Sequence, residues 1–202
     1  RLGRVLIARA EAESTNDVAW DALAEGLPDG TAVVADVQSR GRGRAGREWH
    51  TSPGKGLALS VVLHPGRDAR PGSGAGGSGL LPLAAGLALA RGLERLGARA
   101  GLKWPNDLLL ADRKVAGILC ESRHTAEGVA AAVIGAGVNV GQSPEDFPPA
   151  IAAVATSLAM EGCPVTREAV AAEFLNALEP LMTQLSDQTI DEDTATAAIV
   201  FS

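Results

Sequence analysis

Apolar residues along the chain fall into short runs separated by polar, glycine-rich turns and two longer apolar stretches. Val5–Ala8 reads as a short strand. Ser14 or Thr15 can cap a helix running to about Glu25, where Gly26 ends it. Pro28-Asp29-Gly30 makes a turn before a strand at Thr31–Val37, and a polar segment rich in glycine and arginine fills Gln38–Gly56. Leu57–Leu63 is continuously apolar, the pattern of a strand covered on both faces.

Pro65–Gly79 offers almost nothing to bury and reads as a mobile loop. Leu80–Leu96 is an apolar helix with Pro82 in its first turn. Four strands crowd together next, at Gly101–Trp104, Asp107–Leu110, Lys114–Glu121 and Val129–Ala136, with turns at Ala111-Asp112-Arg113 and Arg123–Gly128. Gly141–Pro149 is a loop, Thr156–Glu161 one turn of helix, and Thr166 to about Leu185 a longer helix. Asp187–Ser202 is acidic and weakly patterned. The fold class expected is α/β (α+β), a mixed β-sheet flanked by helices. Residues 1–186 form one domain and residues 187–202 an acidic tail.

Composition narrows the function more than the fold. The 202 residues are 46% hydrophobic and 21% charged, enough for a real core. A net charge of −6 argues against a nucleic-acid coat or a polybasic membrane binder. Cys120 and Cys163 cannot supply a disulfide framework or a four-ligand zinc site, and His50, His64 and His124 are scattered. No run of about 18 apolar residues spans a bilayer, and the start lacks the layout of a signal peptide. A cytoplasmic protein with no membrane partner is expected, as a monomer or a homodimer.

The sharpest local signal is Gln38-Ser39-Arg40-Gly41-Arg42-Gly43-Arg44-Ala45-Gly46-Arg47-Glu48-Trp49. Its interleaved glycines allow close backbone approach, so arginines and backbone N–H groups can converge on one anion, which a merely solvated charged loop does not need. Gly41-x-Gly43-x-x-Gly46 fits a dinucleotide-binding spacing but leads into no helix. Gly74-x-Gly76-x-x-Gly79 follows no strand and has Arg99 where an acid is needed. A Walker phosphate loop fails at Gly54-Lys55, which Gly56 follows.

Only three lysines occur, against fifteen arginines, and each falls in a motif-like segment. Lys55 follows the arginine loop, Lys103 opens Lys103-Trp104-Pro105-Asn106-Asp107, and Lys114 begins an apolar strand. That suggests point charges placed for a reason, although a turn residue explains Lys114 as well. Trp49 and Trp104 are either core residues or flat walls for a ring ligand. Asn106-Asp107 is either an Asx-turn or an acid placed for a nucleotide-borne Mg²⁺. Gly135-Ala136-Gly137-Val138-Asn139 closes a strand with residues small enough to admit a ligand or another backbone.

Taken in order, these segments resemble the catalytic domain of biotin protein ligases. The matching stretches are Glu13-Ser14-Thr15-Asn16, Gln38 through Trp49, Ser52 through Leu57, Lys103 through Asp107, Lys114 through Leu119 with Glu121, and Gly135 through Asn139. The resemblance implies an α/β fold related to class II aminoacyl-tRNA synthetases. It also implies two steps: biotin and ATP give biotinyl-5′-AMP and pyrophosphate, and a lysine of a biotin carboxyl carrier protein domain takes the biotinyl group.

On this resemblance Ser14, Thr15, Asn16, Gln38, Gly41, Arg42, Gly43, Arg44, Trp49, Lys114, Gly117 and Gly137 would bind biotin. Arg44, Arg47, Trp49, Lys103, Asn106, Asp107, Lys114 and Asn139 would bind ATP, with Asp107 near its Mg²⁺. Lys114, Arg44 and Lys103 would carry the catalysis. Bringing a carboxylate against a triphosphate needs fixed cations in a dry site, and these residues supply them. The glycine-rich loop is suited to folding over a mixed anhydride that water would destroy.

No helix-turn-helix precedes residue 1, so DNA is not an expected partner. No SH3-like β-domain, which often follows this fold, is recognisable after Leu185. Two other readings stay open: a module that holds biotin or its adenylate without transferring it, and a lipoate ligase on a related fold.

Overall fold

The computed structural model describes residues 1–64, 77–125 and 128–186. The expected loop at Pro65–Gly79 lies largely outside these residues, as do the tip of the turn expected at Arg123–Gly128 and the acidic tail. In chain order the elements are β1 (Leu6–Ala12), α1 (Thr15–Ala24), β2 (Ala32–Gln38), β3 (Gly56–Leu63), α2 (Gly77–Arg95), β4 (Gly101–Lys103), β5 (Asp107–Leu110), β6 (Arg113–Thr125), β7 (Gly128–Asn139) and α3 (Arg167–Ser186).

One seven-stranded sheet runs in the order β1-β2-β3-β7-β6-β5-β4. β1 and β2 are parallel and joined through α1, and every other pairing is antiparallel. β3 shows why it is apolar throughout. Leu57, Leu59, Val61 and Leu63 face the main core, which α2 and α3 cover, while Val62 packs with Ala19 of α1 on the opposite face. The same alternation runs along β7: Ala132, Ile134, Ala136 and Val138 belong to the main core. Gly135, Gly137 and Asn139 therefore share the α1 side of the sheet.

Several boundaries differ from the sequence pattern. β1 extends to Ala12 because it is an edge strand whose Arg9, Ala10 and Glu11 are exposed, so it carries no apolar alternation. β6 and β7 run past the core as a long hairpin, to Thr125 and from Gly128, where strands replace most of the turn expected at 123–128. α2 begins at Gly77, which puts Pro82 inside the helix rather than in its first turn. Thr156–Glu161 forms no helix. Its N–H groups make successive tight turns, with Glu161 donating to the Ser157 and Leu158 carbonyls and Cys163 to Leu158.

Candidate active site

On the α1 side of the sheet a cavity of about 470 Å³ opens over β6 and β7. Its floor is paved with glycine. Gly117 and Gly137 are direct cross-strand partners, and Gly135 lies opposite Leu119. A Cβ at Gly135 would collide with the Asn16 amide, and one at Gly137 with the indole of Trp49. Removing side chains from one face of two central strands thus makes room for groups delivered by α1 and by the arginine segment.

The first wall is the start of α1. Ser14 caps the helix, its hydroxyl accepting from the Asn16 N–H. Thr15 N–H donates to Gln38 Oε1 at 2.8 Å, which ties α1 to the end of β2. Ser60 Oγ, from β3, lies 2.8 Å from the Thr15 hydroxyl and 2.6 Å from Asn16 Oδ1. Ser14, Thr15, Asn16 and Ser60 are all buried. Ser14, Thr15, Asn16 and Gln38 form the polar end of the cavity, with Ser60 behind them.

The arginine segment folds into a small hairpin over that floor. Gly43 N–H donates to the Arg47 carbonyl and Trp49 N–H to the Gly41 carbonyl, with Arg42 bridged to Glu48 between them. Ala45 takes a left-handed conformation, with φ of 55°, at the tip. Gly41 is the one expected ligand residue that does not line the cavity. It is glycine because a Cβ there would strike the Trp49 carbonyl. Gly43, Arg44, Arg47 and Trp49 line the cavity, and the indole lies 5.6 Å from Lys114 Nζ.

Lys103, Asp107 and Lys114 converge at the other end, on β4, β5 and β6. Lys114 Nζ is 2.7 Å from Asp107 Oδ1. A fourth wall, Phe147 to Ala155, closes the remaining side. Its Val154 carbonyl accepts from Lys114 N–H at 2.7 Å, and Thr156 N–H donates to the Lys114 carbonyl at 2.9 Å. Asp146 holds this segment's start against Lys55 at 2.6 Å. That ion pair, with hydrogen bonds from Ser143, pushes the Asp146 carboxyl down to about 2.

The structure gives several of the expected ligand groups protein partners of their own. The Arg42 guanidinium is held by both oxygens of Asp17, at 2.6 and 2.8 Å, and by Glu121 at 3.3 Å, and its affinity for its proton rises accordingly. Asn106 donates to the Ile118 carbonyl, and Ile118 N–H donates back to the Asn106 carbonyl, which fastens the segment before β5 to β6. Asn139 donates to the Thr156 carbonyl at 2.9 Å and joins the fourth wall to β7. Trp104 is neither core nor ring wall: it is 66% exposed and lines no part of the cavity.

Two features escaped the sequence reading. Asp17 carried no signal beyond its charge, because its partner Arg42 is distant along the chain; Glu121 was marked by the resemblance, but with no role attached. The fourth wall is an irregular segment whose Phe147, Ile151 and Val154 follow no period. Desolvation pushes the thiol of Cys120, beside Glu121, up to about 12, which disfavours its thiolate.

Residues 8–139, which carry the floor, the arginine hairpin and all three lysines, match the profile of the Biotin/lipoate A/B protein ligase family. The chain belongs to this family. Among its relatives, the bifunctional ligase/repressor BirA of Bacillus subtilis is 37% identical over 158 residues, covering 78% of the chain and 47% of that protein. A biotin–(acetyl-CoA-carboxylase) ligase of Paracoccus denitrificans is 42% identical over 139 residues, 67% of the chain and 55% of that protein. The chain thus spans about half the length of these curated relatives.

Among solved structures, the biotin protein ligase of Aquifex aeolicus in complex with biotin and ATP superposes with a TM-score of 0.72 at 30% identity. The match covers 91% of this chain and 72% of that one. The Leishmania major biotin protein ligase in complex with biotinyl-5-AMP gives 0.69 at 26% identity, over 94% and 83%. The fold is accordingly the α/β catalytic fold of biotin protein ligases, a mixed sheet flanked by helices. Among the described residues, no helix is long and apolar enough to cross a membrane.

Proposed function

We propose that this family member activates biotin with ATP to biotinyl-5′-AMP and transfers the biotinyl group to a lysine of a biotin carboxyl carrier protein domain in the cytoplasm. One observation carries the reading. A single cavity has a polar end, formed by the buried Ser14, Thr15 and Asn16 with the half-buried Gln38, and a cationic end, formed by Arg44, Arg47, Lys103 and Lys114, with Trp49 between them. Biotin has a polar ring at one end and a carboxylate at the other, and the carboxylate must meet a phosphate. A lipoyl ring offers the polar end no N–H or carbonyl group, so the buried hydroxyls and amide favour biotin over lipoate.

In the activation step a carboxylate oxygen forms a bond to the α-phosphorus and pyrophosphate leaves. Both reactants are anions, and charge builds on the phosphoryl oxygens. Lys114, set by backbone hydrogen bonds and by Asp107, is placed to neutralise that charge, and Lys103 and Arg47 to hold the leaving phosphates. Arg44 reaches the same space from the hairpin. In the second step the carrier amine bonds to the acyl carbon and AMP departs. The hairpin and the fourth wall flank the place where the anhydride would form and limit the approach of water to it.

Mg²⁺ borne by ATP needs only one or two protein carboxylates, because phosphates and water fill its other positions. Among the described residues no cluster of three His, Cys, Asp or Glu side chains occurs. Asp107 and Asp112 line the cavity and fit that smaller demand. The ion would offset triphosphate charge.

The test is transfer of radiolabelled biotin to a purified carrier domain with ATP and Mg²⁺, run beside lipoate. Labelling by biotin is expected. Labelling by lipoate alone would assign the other branch of the family, and biotin binding without pyrophosphate release would leave a binding module.

A further inference from the structure

Glu121 sits on β6 next to the cavity without lining it, and three donors converge on its two oxygens. Oε2 accepts from Asn16 Nδ2 at 2.9 Å and from Trp20 Nε1 at 3.1 Å, while Oε1 accepts from Arg42 at 3.3 Å. As a carboxylate it can only accept, which dictates how its neighbours turn. Asn16 must aim its amide nitrogen at Glu121, leaving Oδ1 for Ser60 Oγ at 2.6 Å. Ser60 has one hydroxyl proton, and Oδ1 takes it. The 2.8 Å contact between the Ser60 and Thr15 hydroxyls then depends on the proton of Thr15, which also lies 3.0 Å from Gln38 Oε1. With Asn16 turned the other way every bond of this chain would reverse, but its carbonyl oxygen would face the carboxylate.

We infer that Glu121 is a positioning residue for the biotin end of the cavity. It sets the direction of the Asn16–Ser60–Thr15 hydrogen-bond relay, and through Arg42 it pins the arginine hairpin over that same end. The inference rests on the proposed biotin ligase reading. The hairpin and the deep pocket share this anchor, since Arg42 also binds Asp17, one residue beyond Asn16 on α1. The two lysines of the cationic end share none of these contacts, since Lys114 is held by Asp107 and by the fourth wall, whereas Arg44 and Arg47 ride on the hairpin itself.

Glu121→Gln keeps the side-chain volume but leaves one oxygen for three donors and adds a donor of its own. Either Asn16 turns over or Arg42 loses a partner. Calorimetric titration should show biotin Kd raised about tenfold, as for loss of one hydrogen bond to a charged group, and ATP Kd raised by clearly less, through the hairpin arginines alone. Adding Asn16→Asp restores the direction. The carboxylate it places on α1 would accept both from the amide introduced on β6 and from Ser60, so the double variant should recover most of the biotin affinity. A general structural defect would weaken both ligands and would not be rescued.

Unchanged biotin affinity in Glu121→Gln, or equal loss of both ligands without rescue, overturns the inference. The unliganded chain gives a second readout, the NMR signals of the Asn16 side-chain amide and the Trp20 indole. They should shift in Glu121→Gln, and the Asn16 amide signal is absent by design in the double variant. If the parent bound no biotin the ligase reading would fall, and the relay would stand or fall on those signals alone: unmoved signals refute it.

Discussion

Gly137→Ala should disable the cavity without touching the rest of the core. Its added Cβ would overlap Trp49 Cε2 and lie 2.7 Å from Cζ2 and from Nε1. Carbon contacts sit at about 3.5–4.0 Å, so the indole must retreat by roughly 1 Å. Its backbone cannot follow, because Trp49 N–H is bonded to the Gly41 carbonyl at 2.8 Å and Gly41 is packed against the Trp49 carbonyl. The ring must tip off the floor, at about 1–3 kcal/mol if the crowding is retained and less if the ring swings out. Either way it leaves Lys114 and the ligand path.

Gly117→Ala is the control on the facing strand. Its Cβ meets Lys114 Cε and Nζ at 3.2 Å and Trp49 Cζ3 at 3.4 Å, and a flexible lysine tip yields by a few tenths of an ångström. Relief of glycine's entropy in a strand, about 0.5–1 kcal/mol, offsets that crowding. Urea unfolding followed by biotin and ATP titration should show Gly137→Ala losing stability, ligand affinity or both, with Gly117→Ala near the parent in stability. Equal behaviour of the two variants would refute the idea that the floor is glycine because the indole lies on it.

Lys114→Ala should slow pyrophosphate release in a single turnover more than it weakens biotin binding, since its charge matters most as the phosphoryl oxygens gain charge; equal losses would make it a ground-state binder only. Arg44→Ala should raise the Kd for biotin and for its adenylate about tenfold, the worth of one charge-assisted hydrogen bond, and an unchanged Kd in calorimetry would remove the hairpin from the site. Asp146 is held well below its ordinary 3.8 by Lys55 and Ser143, so its grip on the fourth wall is complete above about pH 4 and is lost as pH falls through about 2. Lys55→Ala should move that loosening to higher pH in an NMR titration of the segment, and coincident titrations in the two chains would contradict it.

Local signals on the chain were legible where one face or one cap decides the structure. Ser14 caps α1 because its hydroxyl needs only the Asn16 N–H two residues on, and β3 is apolar throughout because helices cover both its faces. The cavity residues expected from motif resemblance also meet, all but Gly41. The roles of Arg42, Asn106 and Asn139 were not legible. Each has a side-chain donor engaged by a group 12 to 79 residues away, and no local pattern records such a partner. The exposed part of β1 and the far ends of β6 and β7 lacked apolar alternation for a related reason: they are strands by backbone pairing, not by burial of one face.

The way Lys114 is held bears on how little of the chain can be kept. Its N–H and its carbonyl are both claimed by Val154 and Thr156, and Asn139 stitches the same segment to β7. The family match ends at 139, yet the strand that carries the lysine is zipped on one side by residues 15 and 17 positions further on. A fragment cut at the edge of the recognisable region would keep every signature residue and lose the splint that aims one of them. The smallest working unit of this fold is therefore set by backbone pairing beyond its motifs.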